Sequence, residues 1–372
     1  MEHYLDNSAT TRTCPEAAEA AVRVMSDIYG NPSSTYTKGR EAAGLLRECR
    51  EAVSAALGAK SEEVVFTSCG TESDNWAIIR GAESLSRSGR HVISSLTEHD
   101  AVRESLNFLE KNGFEITRLR PDSTGRIMPE QVLDALRPDT VLVTLMMVNN
   151  ETGAVTDIAD ICSRLRGTGY RGLIHTDAVQ GFMKVPFRAK DLGADLISVS
   201  GHKIHAVKGI GALYIRKGIR LLPYIMGGHQ EDGRRAGTEA MPAIAAFAEA
   251  CRQDPRIGYI RALKDDLAAR IAAKVPEALI LETEAPHILS ISMPGWRSEV
   301  LMNHLETAGV YVSKSSACRQ GKRSHVLEAI GMPADVIDGA LRIGLCRYNT
   351  QEDLDALIDG LVSARALAHG RR

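Results

Sequence analysis

This chain of 372 residues has no apolar run long enough to cross a bilayer. Even Val141 to Val148, apolar but for Thr144, falls well short of the roughly 20 residues that a spanning helix needs. The N-terminal region lacks the apolar core of a signal peptide. Polar and acidic residues stand there instead, in Tyr4-Leu5-Asp6-Asn7-Ser8-Ala9-Thr10-Thr11. There is little charge of either sign in excess. Forty-five Lys and Arg against 47 Asp and Glu leave a net charge of −2, which argues against a nucleic-acid stripe or a polybasic membrane face. No C-x-x-C pair occurs. The seven cysteines (Cys14, Cys49, Cys69, Cys162, Cys251, Cys318 and Cys346) are odd in number and scattered, which excludes a disulfide framework and a zinc site. The expectation is a cytoplasmic protein with no bound metal and no direct contact with nucleic acid or membrane.

What is present is ordinary globular composition, 44% apolar and 25% charged, in a chain long enough for a large domain and a smaller one. Between residues 60 and 215 short β-branched runs alternate with helical stretches. Val64–Thr67, His91–Ser94, Val141–Thr144, Leu173–His175, Leu196–Val199 and Ala212–Ile215 read as strands, with helical patterns such as Glu130–Leu136 and Ile158–Arg166 between them. That alternation predicts an α/β fold with a mostly parallel sheet covered on both faces and a site at the carboxyl ends of its strands. After about residue 250 the character changes. Leu263, Leu267 and Ile271 mark an amphipathic helix, strand-like His287–Met293, Val310–Val312 and Leu341–Ile343 follow, and a helix runs from Glu352 to about Ala366. The reading is a large α/β domain over 15–250 and a small α+β domain made of 1–14 and 251–372.

Four segments carry chemistry. Ser200-Gly201-His202-Lys203 follows an apolar strand, where a lysine loses solvation and becomes nucleophilic toward an aldehyde. Alone, a surface lysine at a strand end is the plainer reading. Asp177 ends another apolar strand, where a carboxylate is costly without a positive partner such as a pyridinium nitrogen, and Gln180 stands within reach of a ring hydroxyl. A helix-capping Asp is the alternative. Phe66-Thr67-Ser68-Cys69-Gly70-Thr71 runs strand, tight turn, helix start, a geometry that receives phosphate but is common in other settings too. His99, in Thr97-Glu98-His99, suits stacking on a planar group and moving protons near neutral pH, or a plain hydrogen bond.

In this order, with Leu5–Thr11, Gly30-Asn31-Pro32-Ser33-Ser34, Thr71–Asn75, Val148–Gly153, Arg235-Ala236-Gly237-Thr238 and Ser316-Ala317-Cys318, the chain resembles the cysteine desulfurases of the NifS/IscS type. These belong to the class V aminotransferase group of fold-type I pyridoxal-phosphate enzymes. The resemblance covers nearly the whole chain. It implies a large domain with a mostly parallel seven-stranded sheet and a small α+β C-terminal domain. It implies pyridoxal 5'-phosphate as cofactor, with Lys203 bonded to it and shuttling protons. Asp177 would pair with the ring nitrogen, Gln180 would touch the ring oxygen, and His99 would stack on the ring. Gly70, Thr71, Ser200 and His202 would seat the phosphate, with Thr238 reaching it from a neighbouring subunit of a homodimer. Asn150 and Arg342 would hold the carboxylate of L-cysteine, Arg342 through a fork that lysine does not reproduce.

The segment from Val312 to His325 has few apolar residues and no helical period, so an exposed, mobile loop is expected. Cys318 is its only sulfur, and Arg319, Lys322 and Arg323 favour the attacking thiolate. The reaction expected is conversion of L-cysteine to L-alanine, with sulfur left on Cys318 as a persulfide and passed to a sulfur-acceptor or scaffold protein. Iron–sulfur cluster assembly, tRNA thiolation and thio-cofactor synthesis all draw on such sulfur. A selenocysteine lyase shares most of these residues, whereas an aminotransferase or another β-lyase has no use for Cys318. A non-catalytic docking protein has no need of the full set. The loop resembles the long-loop group, except that Lys314 and Ser315 replace the usual Ser-Gly. Cys69, at a usual glycine, is expected to be packing, and His229 interrupts a usual run of three glycines.

Overall fold

The computed structural model describes residues 1–315 and 323–369. Seven strands form one sheet. Across it they run Val64–Thr67, Gly211–Ile215, Leu196–Ser200, Leu173–Asp177, Thr140–Met146, His91–Ser95 and Glu115–Leu119. The last five are parallel, while Gly211–Ile215 is antiparallel to both of its neighbours. Val64–Thr67 therefore points the same way as Leu196–Ser200, and the turn that follows it opens on the edge shared by the carboxyl ends of the parallel strands.

All six strands expected from the sequence are present, each within one or two residues. They were legible because strands covered on both faces become near-continuous apolar runs; all but Glu115–Leu119 are buried along their whole length. Glu115–Leu119 was not expected. It lies at the sheet edge with one neighbour and stays half-exposed, so its Glu-Ile-Thr-Arg-Leu sequence carries no strand signal.

A second sheet of four strands runs Ser313–Lys314, Ala340–Gly344, Ile288–Ser292, Leu279–Leu281, all antiparallel. His3–Tyr4 pairs in parallel with Val310–Tyr311. Helix Ile257–Lys274 buries Leu263, Leu267 and Ile271, and these join Leu289, Leu341, Leu357 and the N-terminal Leu5 in one apolar core. That core explains how Arg342 is aimed. Residues alternate faces along a strand, so Leu341 and Ile343 enter the core and Arg342 projects from the opposite face. Among the described residues no helix is long and apolar enough to cross a membrane.

The exposed loop expected from 312 to 325 does not hold at its two described ends, and residues 316–322 lie outside the described residues. Ser313 and Lys314 form a strand on Ala340–Gly344, Ser315 and Ser324 are buried, and a helix begins at His325. Short hydroxyl-bearing segments have no periodicity to reveal such ends.

Candidate active site

A cavity of about 320 Å³ opens where the carboxyl ends of the large sheet meet Arg342. Ten residues singled out from the sequence line it: Gly70, Thr71, His99, Asn150, Asp177, Gln180, Ser200, His202, Lys203 and Arg342.

At one end the chain leaves strand Val64–Thr67 and enters a helical run at Gly70. A Cβ on Gly70 would meet Val179 Cγ2 at 2.7 Å, so this position favours glycine. Beside it the Ser200 hydroxyl is buried with no hydrogen-bond partner among the described residues. His202 Nδ1 lies 3.1 Å from Thr10 Oγ1, and burial, then the charge of Lys203, push the ring down to about 4, so it is neutral. A neutral ring, a spare hydroxyl and a helix start together form a seat for an anion.

Asp177 closes its strand with its side chain buried, and its carboxylate accepts from Val179 N–H at 2.9 Å. Burial raises its affinity for a proton, and the Val179 N–H and the charge of Lys203 oppose that only in part. Asp74, also buried, is pushed well up by burial and then by Asp177. The nearby His175 does not neutralise them. Its Nε2 is 3.6 Å from Asp74 Oδ1, but burial drives the ring down to about 3, and Thr144 and Ser198 hydroxyls hold its two nitrogens at 2.8 and 3.0 Å. Two buried acids thus face the cavity without a full cationic counterpart, an arrangement suited to a positively charged ring.

Lys203 Nζ donates to the Ser8 and Ala9 carbonyls at 2.7 and 2.6 Å. The N-terminal segment is laid along this turn by Thr11, whose amide and hydroxyl donate to the His202 carbonyl, and by His205. His205 takes a left-handed φ of 73°, fixed by its amide donating to Thr11 Oγ1 and its Nδ1 bonding the Arg12 carbonyl. His99 caps helix Asp100–Lys111, its Nδ1 accepting Ala101 N–H at 3.1 Å. The neutral ring therefore carries its proton on Nε2.

Arg342 is 3% exposed. Nη1 donates to the Asn150 carbonyl at 2.9 Å, Nη2 donates to Asp6 Oδ1 at 3.1 Å and to Ser313 Oγ at 3.2 Å, and Nε has no partner among the described residues. The carboxylate of Asp6 and the spare donors make Arg342 a fixed fork for an anionic ligand.

Gln180 lines the cavity, yet its amide is engaged within the chain. Nε2 donates to the Ser8 carbonyl at 2.8 Å, and Oε1 lies 3.2 Å from His287 Nε2 and 3.5 Å from Lys184 Nζ. One amide proton remains for a ligand. Thr238 is exposed and does not line this cavity. Cys318 lies outside the described residues, as do Arg319 and Lys322. Arg323 forms a two-pronged pair with Asp338 at 2.7 and 2.8 Å. The packing expected for Cys69 does not hold: it is half-buried and lines the cavity, whereas Cys14, Cys49, Cys162, Cys251 and Cys346 are buried. His229 is exposed, and nothing in the structure explains it.

Sequence reasoning missed Ser8 and Ala9, which act through backbone carbonyls and carry no side-chain signature. It also gave no role to Asp74, Glu98, Glu151 and His325, although the motifs containing the first three were noted. Glu98 is buried with Oε1 accepting from Ser95 Oγ at 2.6 Å and Met146 N–H at 3.2 Å, and burial pushes its carboxyl up to about 8.

The sequence model of the class-V aminotransferases matches residues 3–357, and the chain belongs to that family. It is 41% identical to a cysteine desulfurase of Nostoc sp. over 366 residues, covering 96% of this chain and 91% of the relative. It is 40% identical to the cysteine desulfurase IscS of Dictyoglomus turgidum, covering 97% and 93%. Among solved structures, a NifS-like protein superposes with a TM-score of 0.92 at 34% identity, covering 99% of this chain and all of that one. SspA in complex with cysteine superposes with a TM-score of 0.82 at 31% identity, covering 94% and 100%.

Proposed function

We infer that this enzyme is a pyridoxal-phosphate-dependent cysteine desulfurase that passes the sulfur of L-cysteine to Cys318 and releases L-alanine. The observation that carries the reading is the meeting of Lys203, Asp177, His99 and Arg342 in one cavity, in a chain about 40% identical to cysteine desulfurases over nearly its whole length. The residues present fit the cofactor. The unpartnered Ser200 hydroxyl beside Gly70, Thr71 and His202 suits its phosphate, and the buried Asp177 carboxylate suits its ring nitrogen. When bound, pyridoxal phosphate supplies an aldehyde for the substrate amine and a protonated ring that draws electrons from the bonds at the α-carbon.

The chain's own residues do the rest. Lys203 leaves the Ser8 and Ala9 carbonyls to hold the cofactor and moves the α-proton. His99 Nε2 is the proton-bearing nitrogen on the cavity wall, Gln180 offers its remaining amide proton to the ring oxygen, and Asn150 and Arg342 fix the substrate carboxylate. The Cys318 thiolate then attacks the substrate sulfur. The S–S bond forms as the C–S bond breaks, and the carbon product takes up protons and leaves as L-alanine. In sum, one thiol and one L-cysteine become one persulfide and one L-alanine.

The working unit is a homodimer in which Thr238 reaches the partner's phosphate seat. Support comes from its exposure outside its own cavity, close in sequence to exposed Leu222, Ile225 and Met226. The division into residues 15–250 and 1–14 with 251–372 is supported by the separate core that Leu5 shares with the C-terminal elements. The enzyme works in the cytoplasm and hands its sulfur to an acceptor or scaffold protein. The test is to give the holoenzyme L-cysteine and a thiol reductant and to measure products. Equal amounts of alanine and sulfide support the reading; a keto acid without alanine would overturn it.

A further inference from the structure

Glu151 is a carboxylate 5% exposed in the turn after strand Thr140–Met146, and nothing above gives it work to do. Burying a charge there is costly, so what its oxygens touch matters. Oε2 accepts a short hydrogen bond from the Ser324 hydroxyl, 173 residues away in sequence. The described chain resumes after Cys318 at Arg323, and Ser324 follows directly. Its Oγ also accepts Leu327 N–H at 3.1 Å, so it caps helix His325–Ala329. The next residue, His325, lines the cavity and places Nε2 3.2 Å from the Glu98 carbonyl.

The same turn holds the substrate arm. Asn149 Oδ1 accepts the amides of Glu151 and Thr152 at 2.9 and 3.0 Å, and Asn149 Nδ2 donates to the Thr97 carbonyl at 3.1 Å. The carbonyl of Asn150 accepts from Arg342 at 2.9 Å. Residues 149–151 therefore fasten three things in succession: the turn that carries His99, the guanidinium that receives the carboxylate, and the root of the segment that carries Cys318. Burial pushes the Glu151 carboxyl up to about 7, opposed by the Ser324 hydroxyl; above that pH the hydroxyl donates to a charged acceptor, a stronger bond than one between neutral groups.

We propose that Glu151 is a positioning residue that holds Ser324, and with it the C-terminal root of the Cys318 segment, in fixed relation to Arg342. The inference rests on the desulfurase reading. It predicts that loss of this contact slows sulfur transfer to Cys318 while leaving the proton chemistry at the α-carbon intact, because Glu151 and Ser324 bond each other and not Lys203, the residue that moves the α-proton.

The experiment uses the holoenzyme and compares wild type with Glu151→Gln, Ser324→Ala, the double variant and Ser324→Thr. Cofactor absorbance is recorded first. Persulfide on Cys318 is then timed by rapid quench and intact-mass measurement, and exchange of the α-deuterium of L-alanine with solvent is followed by NMR. The expected result is persulfide formation slowed roughly 10- to 100-fold in both single variants, the worth of one hydrogen bond to a charged group. Exchange and absorbance stay within twofold, the double variant is no slower than the slower single one, and Ser324→Thr recovers most of the rate. Exchange and persulfide formation falling together, additive losses, or no loss at all would each overturn the proposal. A wild type that never carries a persulfide on Cys318 would instead remove the desulfurase reading beneath it.

Discussion

Replacing Arg342 with lysine removes the donors that the substrate carboxylate needs while keeping a positive charge at the site. A guanidinium has five N–H groups. Three are engaged, by the Asn150 carbonyl, Asp6 Oδ1 and Ser313 Oγ, which leaves Nε–H and one proton on Nη1 for a ligand. An ammonium has three donors in all, and satisfying the same three acceptors leaves none for substrate. Hydrogen bonds to charged groups contribute about 1.5–3 kcal/mol each. Two of them, discounted for the charge that lysine retains, come to about 3 kcal/mol, or a fall in kcat/KM on the order of 10²-fold. Steady-state alanine release over a range of L-cysteine concentrations is the assay. The loss is expected chiefly in KM, with cofactor absorbance unchanged, because Arg342 contacts none of the groups assigned to the phosphate or the ring nitrogen. A variant whose kcat/KM stays within threefold of wild type would refute this account of the fork.

Asp177→Ala should weaken cofactor binding by roughly 10²- to 10³-fold, the cost of removing one member of a buried ion pair, as read by absorbance titration of the cofactor-free protein. An unchanged affinity would mean that another group meets the ring nitrogen. Glu98 gives a prediction on stability. Its carboxyl rises from an ordinary value of 4.5 to about 8 in the folded protein, first through burial and also through Asp177. The folded state thus holds a proton that the unfolded state has released between those values. Its contribution to stability is full below about pH 4.5 and declines as pH rises toward 8, by at most about 1.4 kcal/mol per pH unit. Glu98→Gln should flatten this part of the pH dependence in thermal unfolding of the cofactor-free protein; an identical slope in both proteins would place the proton elsewhere.

Much of this site is legible in the sequence because the fold concentrates it at strand ends. Thr67, Asp177 and Ser200 each close an apolar run, and a polar residue in that position stands out. Arg342 was harder to place from sequence alone, since a charged residue between Leu341 and Ile343 is equally the outer face of a strand. Here that face is turned to the cavity. What the sequence concealed falls into two kinds. Backbone acceptors such as the Ser8 and Ala9 carbonyls have no residue-type signature, and a short polar edge strand such as Glu115–Leu119 has no hydrophobic period. Burial was the other. Glu98 and Glu151 carry no sequence signal of burial in a chain that is one-quarter charged, and only tertiary packing removes them from water. The same packing turns Ser324 from an ordinary loop residue into a helix cap bonded to a buried acid.

The central claim is that sulfur leaves L-cysteine onto Cys318. Its most direct test compares alanine and sulfide release from L-cysteine, with a thiol reductant present, in the wild-type holoenzyme and in Cys318→Ala. The account predicts that the variant keeps its cofactor absorbance and loses sulfide release. Full sulfide release by the variant would contradict it, and would make the enzyme a lyase that acts without a protein thiol.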